Sequence, residues 1–522
     1  MKTPPAHSPI LDASGRPMVR AMAYEAGSRT SQELGLFNPS LGSADRDYLP
    51  SRNTIVARTR HLVQNSGWAS SAVTRHLDSV IGIGFRPSVK PDYLALGLDK
   101  EWARTWARKV EARWRVYAED PLRYMDAARR KNFTEILRTA YREWLVSGEA
   151  VALSLWKTGK PGKRCATTFQ LIDSDQLSNP YGEPDSDTLR GGVEVSELGA
   201  PTAYHFRDAH PGDFTIASAK SWTWTRVPRE TPWGRLRVIH AFEEKRPNQT
   251  RGISRFAPVV ERFKMLDRYD KSELQAALLN AVLAAAFESP MDSELLFDSI
   301  SEKSLNEYQT LRSDYHKEKG LTINGVTVPA LFPGEKLTFH TAARPNVAFA
   351  DFERACLRNI SAALGITYEQ LTSDWSQVNY SSARAAIMEV WKTLFADRTL
   401  FADQFATPIM LLWLEEEINA GNIEIPDGAP NFYEMPGAYL GVKWIGTGRG
   451  YVDPEKEAKG ANMRINTGIS TLEDECAEQG KDYQEVLEQR AAEIAYMKEL
   501  GLPLPDWASA QPTIYRQGDG DQ

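Results

Sequence analysis

The chain has 522 residues, 42% of them hydrophobic and 25% charged, with a formal net charge of −7. That length exceeds one ordinary hydrophobic core, so two to four domains are expected, and the composition fits a globular protein without a dominant disordered region. The acidic balance excludes a protein that grips nucleic acid over its whole surface. It does not exclude one past which DNA slides, because a weakly negative wall repels phosphate while a few local Lys or Arg guide it.

Residues 1–50 are rich in Pro, Gly, Ser and Arg without periodicity and read as a mobile arm, with order beginning at Ser51. Met1 to Asp12 holds three prolines and no apolar core, so no signal peptide is expected. Ile55, Leu62 and Val63 lie on one helical face, Gly67 interrupts, and Val73, Leu77, Val80 and Ile81 continue a second helix to Gly82 and Gly84. Residues 99–120 are amphipathic, with Trp102, Trp106, Val110, Trp114 and Tyr117 at spacings of four or three. Such a stripe can stack bases, but helical periodicity ordinarily marks burial, and a core-facing stripe is the preferred reading. Asn132 and Glu135 form a capping-box pair ahead of Phe133, Ile136, Leu137, Ala140, Tyr141, Trp144 and Leu145, and Gly148 ends that helix.

The period then changes to two. Val151, Leu153 and Leu155 alternate, Phe169, Leu171 and Ile172 form a second apolar run, and 202–207, 222–227 and 237–242 read as short strands. Residues 51–253 are therefore expected to form an α+β domain.

From Ser254 to Phe287 runs one long helical pattern, with Val259, Phe263, Leu266, Leu274, Leu278, Ala281 and Ala285 on the expected buried side. Its first half is highly charged and its second Ala-rich, which permits close helix approach. The apolar stretch near Ala276–Phe287, broken by Asn280, is too short to span a bilayer. Pro290 stops the helix. A smaller unit follows, with a helix around Ser304–Tyr315 and strand-like Leu321–Val328 and Lys336–His340. A further helix begins near Asn346, with Phe349, Phe352, Cys356, Ile360 and Ala363 on one face, and stops at Gly365.

After a polar loop, Thr372 to Tyr380, Ser381 or Ser382 is the expected cap of a helix running to about Asn419, on the order of 55 Å if straight. Pro408 is expected to kink it. Residues 421–452 read as loop. Asp453-Pro454 starts the C-terminal helices, with capping boxes at Ser470/Glu473 and Asp482/Glu485. The tail 502–522 reads as disordered.

Motifs for chemistry are sparse. There is no GxxxxGK[ST], no HExxH and no GxSxG, and no ligand spacing among the eight His residues. Cys165, Cys356 and Cys476 are odd in number and far apart, so neither a disulfide framework nor a Cys-based zinc site is indicated, and a reducing cytosol is the expected place of synthesis. Gly446 to Gly450 reads as a connector rather than a phosphate loop. Asp173-Ser174-Asp175 after a strand is a candidate Mg²⁺ site for a metal-dependent DNA-processing enzyme, with turn chemistry the preferred reading. A channel-less scaffold or adaptor is the other alternative.

Four blocks in order carry a resemblance. They are Asn65 to Val73 with Val80 to Phe85; His240-Ala241-Phe242 with Arg246-Pro247-Asn248-Gln249-Thr250-Arg251-Gly252-Ile253-Ser254; Leu364 to Glu369 with Asn379 to Ala385; and Asp453-Pro454-Glu455-Lys456-Glu457-Ala458. Together they resemble the lambda-type bacteriophage portal family over roughly residues 50–500. The resemblance implies an α+β, mostly helical fold. Its parts would be a wing (51–253), a first stem helix (254–287), a clip (288–345), a second stem helix (346–365), a tunnel loop (366–380), a long wing helix with its return (381–452) and a crown (453–501).

It also implies a homo-dodecameric ring at one capsid vertex of the virion, made in the host cytoplasm. The ring passes double-stranded DNA without sequence preference and uses no cofactor, metal or membrane. Its implied partners are the large terminase, the major capsid and scaffold proteins, and head-completion or adaptor proteins. By position between the helices, Ser373, Asp374, Trp375, Ser376, Gln377, Val378 and Asn379 are candidate DNA-facing residues, with packing on a neighbouring subunit the other reading for Trp375. Arg262, Lys264, Arg268 and Lys271 are possible channel-lining residues, or members of a solvated face. Arg384 is a candidate structural partner of the loop. Pro290, Asp292, Glu294 and 302–307 are plausible clip contacts.

Overall fold

A computed structural model describes residues 26, 32–159, 163–213, 220–286, 321–323, 326–328, 349–376, 378–449, 453–505 and 508. The first helix, α1 (Ala44–Asn65), begins at Ala44 rather than Ser51. Ser43 caps it by accepting from the Arg46 amide at 3.2 Å, and Asp45 and Asp47 in the first turn suit the positive helix end. Seven residues assigned to the arm are thus helical. Ser66 ends α1 and caps α2 (Gly67–Val80).

Strand β1 (Arg86–Val89) follows, then α3 (Lys100–Ala118) and α4 (Phe133–Val146), the last with the reciprocal Asn132/Glu135 cap in place. Next come β2 (Glu149–Trp156), β3 (Thr167–Ile172), β4 (Leu189–Arg190), β5 (Val193–Val195), β6 (Pro201–Arg207), β7 (Trp224–Pro228) and β8 (Val238–Phe242). These strands make two antiparallel sheets, β3-β2-β8 and β4-β5-β6-β7. Alternation along β2 joins the layers. Ala150 and Ala152 face the helices, while Val151 packs with Val193, Tyr204, Phe206 and Val227 of the small sheet.

The helical side is an aromatic core. Trp106 and Trp114 of α3 are buried as the stripe requires. Trp114 meets Trp413 edge-on at 5.1 Å and Phe133 at 4.9 Å, and Tyr117 stacks on Trp413 at 6.0 Å.

Helix α5 (Val260–Ala286) starts six residues later than expected. Pro258 sits in a 3₁₀ turn, Ala257–Val259, because it lacks the N–H that a continuing helix needs. The expected buried side holds at its start and fails at the next two positions, the burial of Ala281 and Ala285 lying outside the described residues. Val259, Phe263 and Leu266 are buried, whereas Leu274 is 62% exposed and Leu278 48% exposed. A hairpin of β9 (Leu321–Ile323) and β10 (Val326–Val328) is described beyond it. The expected helix 304–315, the strand 336–340 and the clip contacts Pro290, Asp292, Glu294 and 302–307 lie outside the described residues.

Helix α6 (Phe349–Leu364) buries Leu357, Ile360, Ser361 and Leu364; of the expected face Ile360 is buried and Cys356 half-buried against the core, while Ala363 is exposed. Only its second half meets the core. At its start Phe349 stacks on Tyr269 of α5 at 5.6 Å, and Phe352 is half exposed. A short helix, α7 (Tyr368–Thr372), occupies part of the segment read as loop, its cap a Thr367/Gln370 pair.

Asn379, not Ser381 or Ser382, caps α8 (Tyr380–Phe401). The helical path then widens into a π turn, Ala402–Ala406, and resumes as α9 (Thr407–Asn419). The expected break at Pro408 therefore falls one turn earlier, where the wider register relieves the clash of the proline ring with the Gln404 carbonyl.

The segment read as loop holds α10 (Pro436–Leu440) and β11 (Val442–Ile445), which pairs with β1. Last come α11 (Pro454–Asn466), α12 (Leu472–Glu478) and α13 (Tyr483–Glu499). The box before α12 is Thr471/Asp474, one residue beyond the expected pair. Asp482 caps α13, but the Glu485 side chain turns away to arginines. Among the described residues, no helix is long and apolar enough to cross a membrane.

Candidate functional site

The site is built on a buried charge. Gly148 ends α4 with φ +94°, and a side chain there would strike the backbone of Gly252 and Ile253. The close approach seats the 246–254 segment beside Glu149, which is fully buried. Glu149 accepts from Arg52 Nη2 at 2.8 Å, Arg251 Nε at 2.9 Å and the Gly252 amide at 3.0 Å, and it contacts His240 Nε2 at 3.0 Å.

Burial alone would raise this carboxyl. The Arg251 and Arg52 guanidiniums outweigh it, with help from His240, and hold Glu149 well below the usual carboxylate range. Burial lowers His240, which is therefore neutral, and since a carboxylate only accepts, Nε2 carries the proton. Other Arg251 donors reach the carbonyls of Ser174, Leu177 and Gly191. This network ties α1, β2, β8 and the 246–254 segment into one frame directly before α5. The resemblance singled out 246–254, but nothing in the sequence marked Glu149, whose partners lie 97 and 102 residues away.

From that frame α5 and α6 run side by side, and the loop 373–379 joins the next two helices. Its entry is pinned to α2. Ser71 Oγ donates to the Leu371 carbonyl at 2.8 Å, and Arg75 Nη2 donates to Ser373 Oγ at 2.8 Å. Ser373 takes a left-handed conformation, φ 58°, and the Arg75 bond offsets part of its strain.

Asp374 accepts from the Ser376 amide at 3.0 Å and from Ser376 Oγ at 2.7 Å, and these bonds keep its carboxyl below the ordinary value. Trp375 is 43% exposed, and Asn379 serves as the α8 cap. Gln377 lies outside the described residues. Val378 and Arg384 are half-buried at the loop exit. The loop is thus a pinned, negatively charged turn carrying one large aromatic side chain.

Arg262, Lys264, Arg268 and Lys271 are all exposed on α5. At 100° per residue, Lys264, Arg268 and Lys271 fall within about 60° of one another and Arg262 lies on the opposite face. Lys264 and Lys271 flank Asp267 at 3.5 and 3.1 Å.

Asp173, Asp175 and His210 come together closely enough to hold a metal ion. A cation is already there: Arg60 donates to Asp173 at 2.7 Å and to Asp175 at 2.6 Å. Burial works to raise Asp173, but the Asp175 amide and Arg60 hold it below its ordinary value. Asp173 also caps the 3₁₀ turn Ser174–Gln176, the turn chemistry expected of this motif. The donor set fits a salt-bridge node better than a divalent ion, which would have to displace a bidentate guanidinium.

Long helices thus rise from a rigid frame, with a pinned polar loop between them. The sequence profile of "Phage portal protein, lambda family" matches residues 30–398. The chain is 35% identical to portal protein B of Escherichia phage lambda, over 98% of this chain and 96% of that one. It is also 35% identical to the portal protein of Escherichia phage N15, over 96% and 95%. The chain belongs to the lambda family of phage portal proteins.

Among solved structures it is similar to a chain of the neck of a native GTA particle computed with C12 symmetry. That chain is 12% identical, with 88% of this chain and all of the other covered, at TM-score 0.38. A chain from the virion of a native gene transfer agent gives 12%, 86%, 94% and 0.39.

Proposed function

We propose that this chain assembles into a homo-dodecameric ring at one capsid vertex and conducts double-stranded DNA into and out of the head without performing chemistry on it. The ring would nucleate head assembly among the major capsid and scaffold proteins, dock the large terminase, and later hold head-completion proteins. The observation that carries the reading is the exposure of Leu274 and Leu278 on α5, apolar positions that a single subunit leaves facing water. Exposed leucines of this kind at helical spacing call for a partner, and family membership makes a second copy the natural one. An identical face on every copy packing against a different face of the next closes a ring.

DNA in such a ring needs a lumen that does not hold it. The charged Asp374 at the loop suits that, because it repels phosphate, while Trp375 offers a face to touch or release the duplex. The seven-residue loop 373–379 is the proposed DNA-facing element, and Lys264, Arg268 and Lys271 a proposed guiding stripe. Negative-stain microscopy with light scattering is the test. Rings with an axial hole support the reading; a persistent monomer or dimer at high concentration with capsid proteins present sinks it. Deleting 373–379 should leave rings intact and impair DNA packaging or retention, whereas loss of rings would make the loop an assembly element.

The enzyme alternative is disfavoured by Arg60 in the acidic cluster. Mg²⁺-dependent cleavage of plasmid DNA, lost in Asp173→Ala, would restore it.

A further inference from the structure

Helices α11 to α13 have no buried hydrophobic residue; Glu457 is their one buried side chain. A helical unit whose apolar side chains, Leu472 and Val486 among them, are no more than partly buried needs other contacts as well. Two kinds of contact are present. The first is a backbone pivot, where Arg449 donates its amide to the Glu478 carbonyl at 3.0 Å and a side chain on Gly448 or Gly480 would strike the opposing backbone.

The second is a row of ion pairs beyond the pivot. Arg86 and Arg115 both meet Glu485 at 2.6 Å, Arg108 meets Glu488, and Lys90 meets Glu473. Every cation in this row belongs to β1, to Lys90 directly after it or to α3, and every anion to α12 or α13.

The cations form one surface. At 100° per residue, Arg104, Arg108 and Arg115 lie within about 40° on α3. Arg86 and Lys90 flank them, and Lys443 of β11 lies close enough to Lys90 to depress it, second to partial burial. We propose that this face is a binding surface for the phosphates of double-stranded DNA, covered in the resting subunit by α12 and α13, whose carboxylates stand where phosphates would. The choice of DNA rests on the proposed channel, since the duplex is the polyanion such a particle carries.

The cover can be displaced because its pairs are partly solvated. Glu485 and Glu488 side chains are 40% and 59% exposed, and pairs of that kind are weak and salt-screened. A polyanion competes for all of the cations at once.

The test uses the full chain and a fluorescent 30-base-pair duplex of arbitrary sequence, read by anisotropy across a salt series. A Glu473→Gln, Glu485→Gln, Glu488→Gln variant should bind at least about tenfold more tightly than the parent, with a log–log salt slope steeper by about three. Adding Arg104→Ala, Arg108→Ala and Arg115→Ala should abolish the gain. Energy transfer between labels at Lys109 and Tyr496 reports whether the helices lift.

Lifted helices without tighter binding, a gain that survives loss of the arginines, or a change of ring size in place of DNA binding would each overturn the proposal. So would helices that stay down, because the ion pairs would then not be what holds them. Binding is measured on the unassembled chain as well as on rings, so a failure to form rings counts against the channel and not against this surface.

Discussion

The sheet-and-helix core around Glu149 and the C-terminal helices are both knit by arginine–carboxylate pairs, yet the two regions use that chemistry oppositely. Around Glu149 the charges are sealed from water and every acceptor has several donors. Along α12 and α13 the same groups sit half in solvent with no fully buried apolar side chain behind them. Burial decides what the pair does. A sealed pair cannot separate without leaving an unpaired buried ion, so it fixes one geometry; a wet pair exchanges readily with water, salt or another polyanion.

The largest effect expected from breaking this contrast is at the sealed end. Glu149→Ala strands Arg52 and Arg251 inside the core and should cost about 3–5 kcal/mol, enough to leave little folded protein. Urea unfolding followed by tryptophan fluorescence measures it. A loss below about 1 kcal/mol would mean that water reaches the site and that the frame is not sealed.

Assembly comes next. Leu274→Ser with Leu278→Ser should leave the melting temperature of the isolated subunit within a degree or two, because both side chains already face solvent. The same pair should prevent ring formation by light scattering. If the subunit itself unfolds, these leucines belong to its own core and the interface lies elsewhere.

Much of the core was legible because it is local. The Trp106–Trp114 stripe and the Asn132/Glu135 cap are written within a few residues, and their burial or bonding follows from helical spacing. The pairing of β1 with β11 joins residues more than 350 positions apart, and four residues of ordinary alternation give no sign of a partner so distant. The α6 stripe was right only at Cys356 and Ile360 for a related reason: periodicity marks an apolar face, but which half of a projecting helix meets the core is set by its neighbours. The loop 373–379 could be found between two helices by its polarity. Its anchors Ser71 and Arg75 lie about 300 residues away and carried no local signal.

At the wet end the effects shrink. Glu485→Gln removes one carboxylate shared by two arginines and should cost about 0.2–1 kcal/mol of docking, vanishing at high salt. The energy-transfer pair at Lys109 and Tyr496 measures it, and an effect indifferent to salt would mean that the glycine pivot, not the ionic row, bears the load.

The smallest effect is a pH dependence centred on Glu111, in the middle of the α3 stripe. It accepts from the Val89 amide at 2.6 Å. Burial, opposed by that hydrogen bond and by Arg115 but reinforced by Asp482 and Glu485 of the covering helix, pushes its pKa up to about 7. Arg86 and Glu119 complete its charged surroundings. The covered state binds this proton more tightly than an open state in which the carboxyl returns toward its ordinary 4.5. Docking is therefore favoured at low pH and weakens as pH rises from about 4.5 to about 7, after which the effect is flat. In a cysteine-free background carrying the two labels, energy transfer should fall across that window, and Glu111→Gln, which keeps an acceptor for Val89 and cannot ionise, should flatten it. A Gln variant with the parent's pH profile would move the titration to another group of the row.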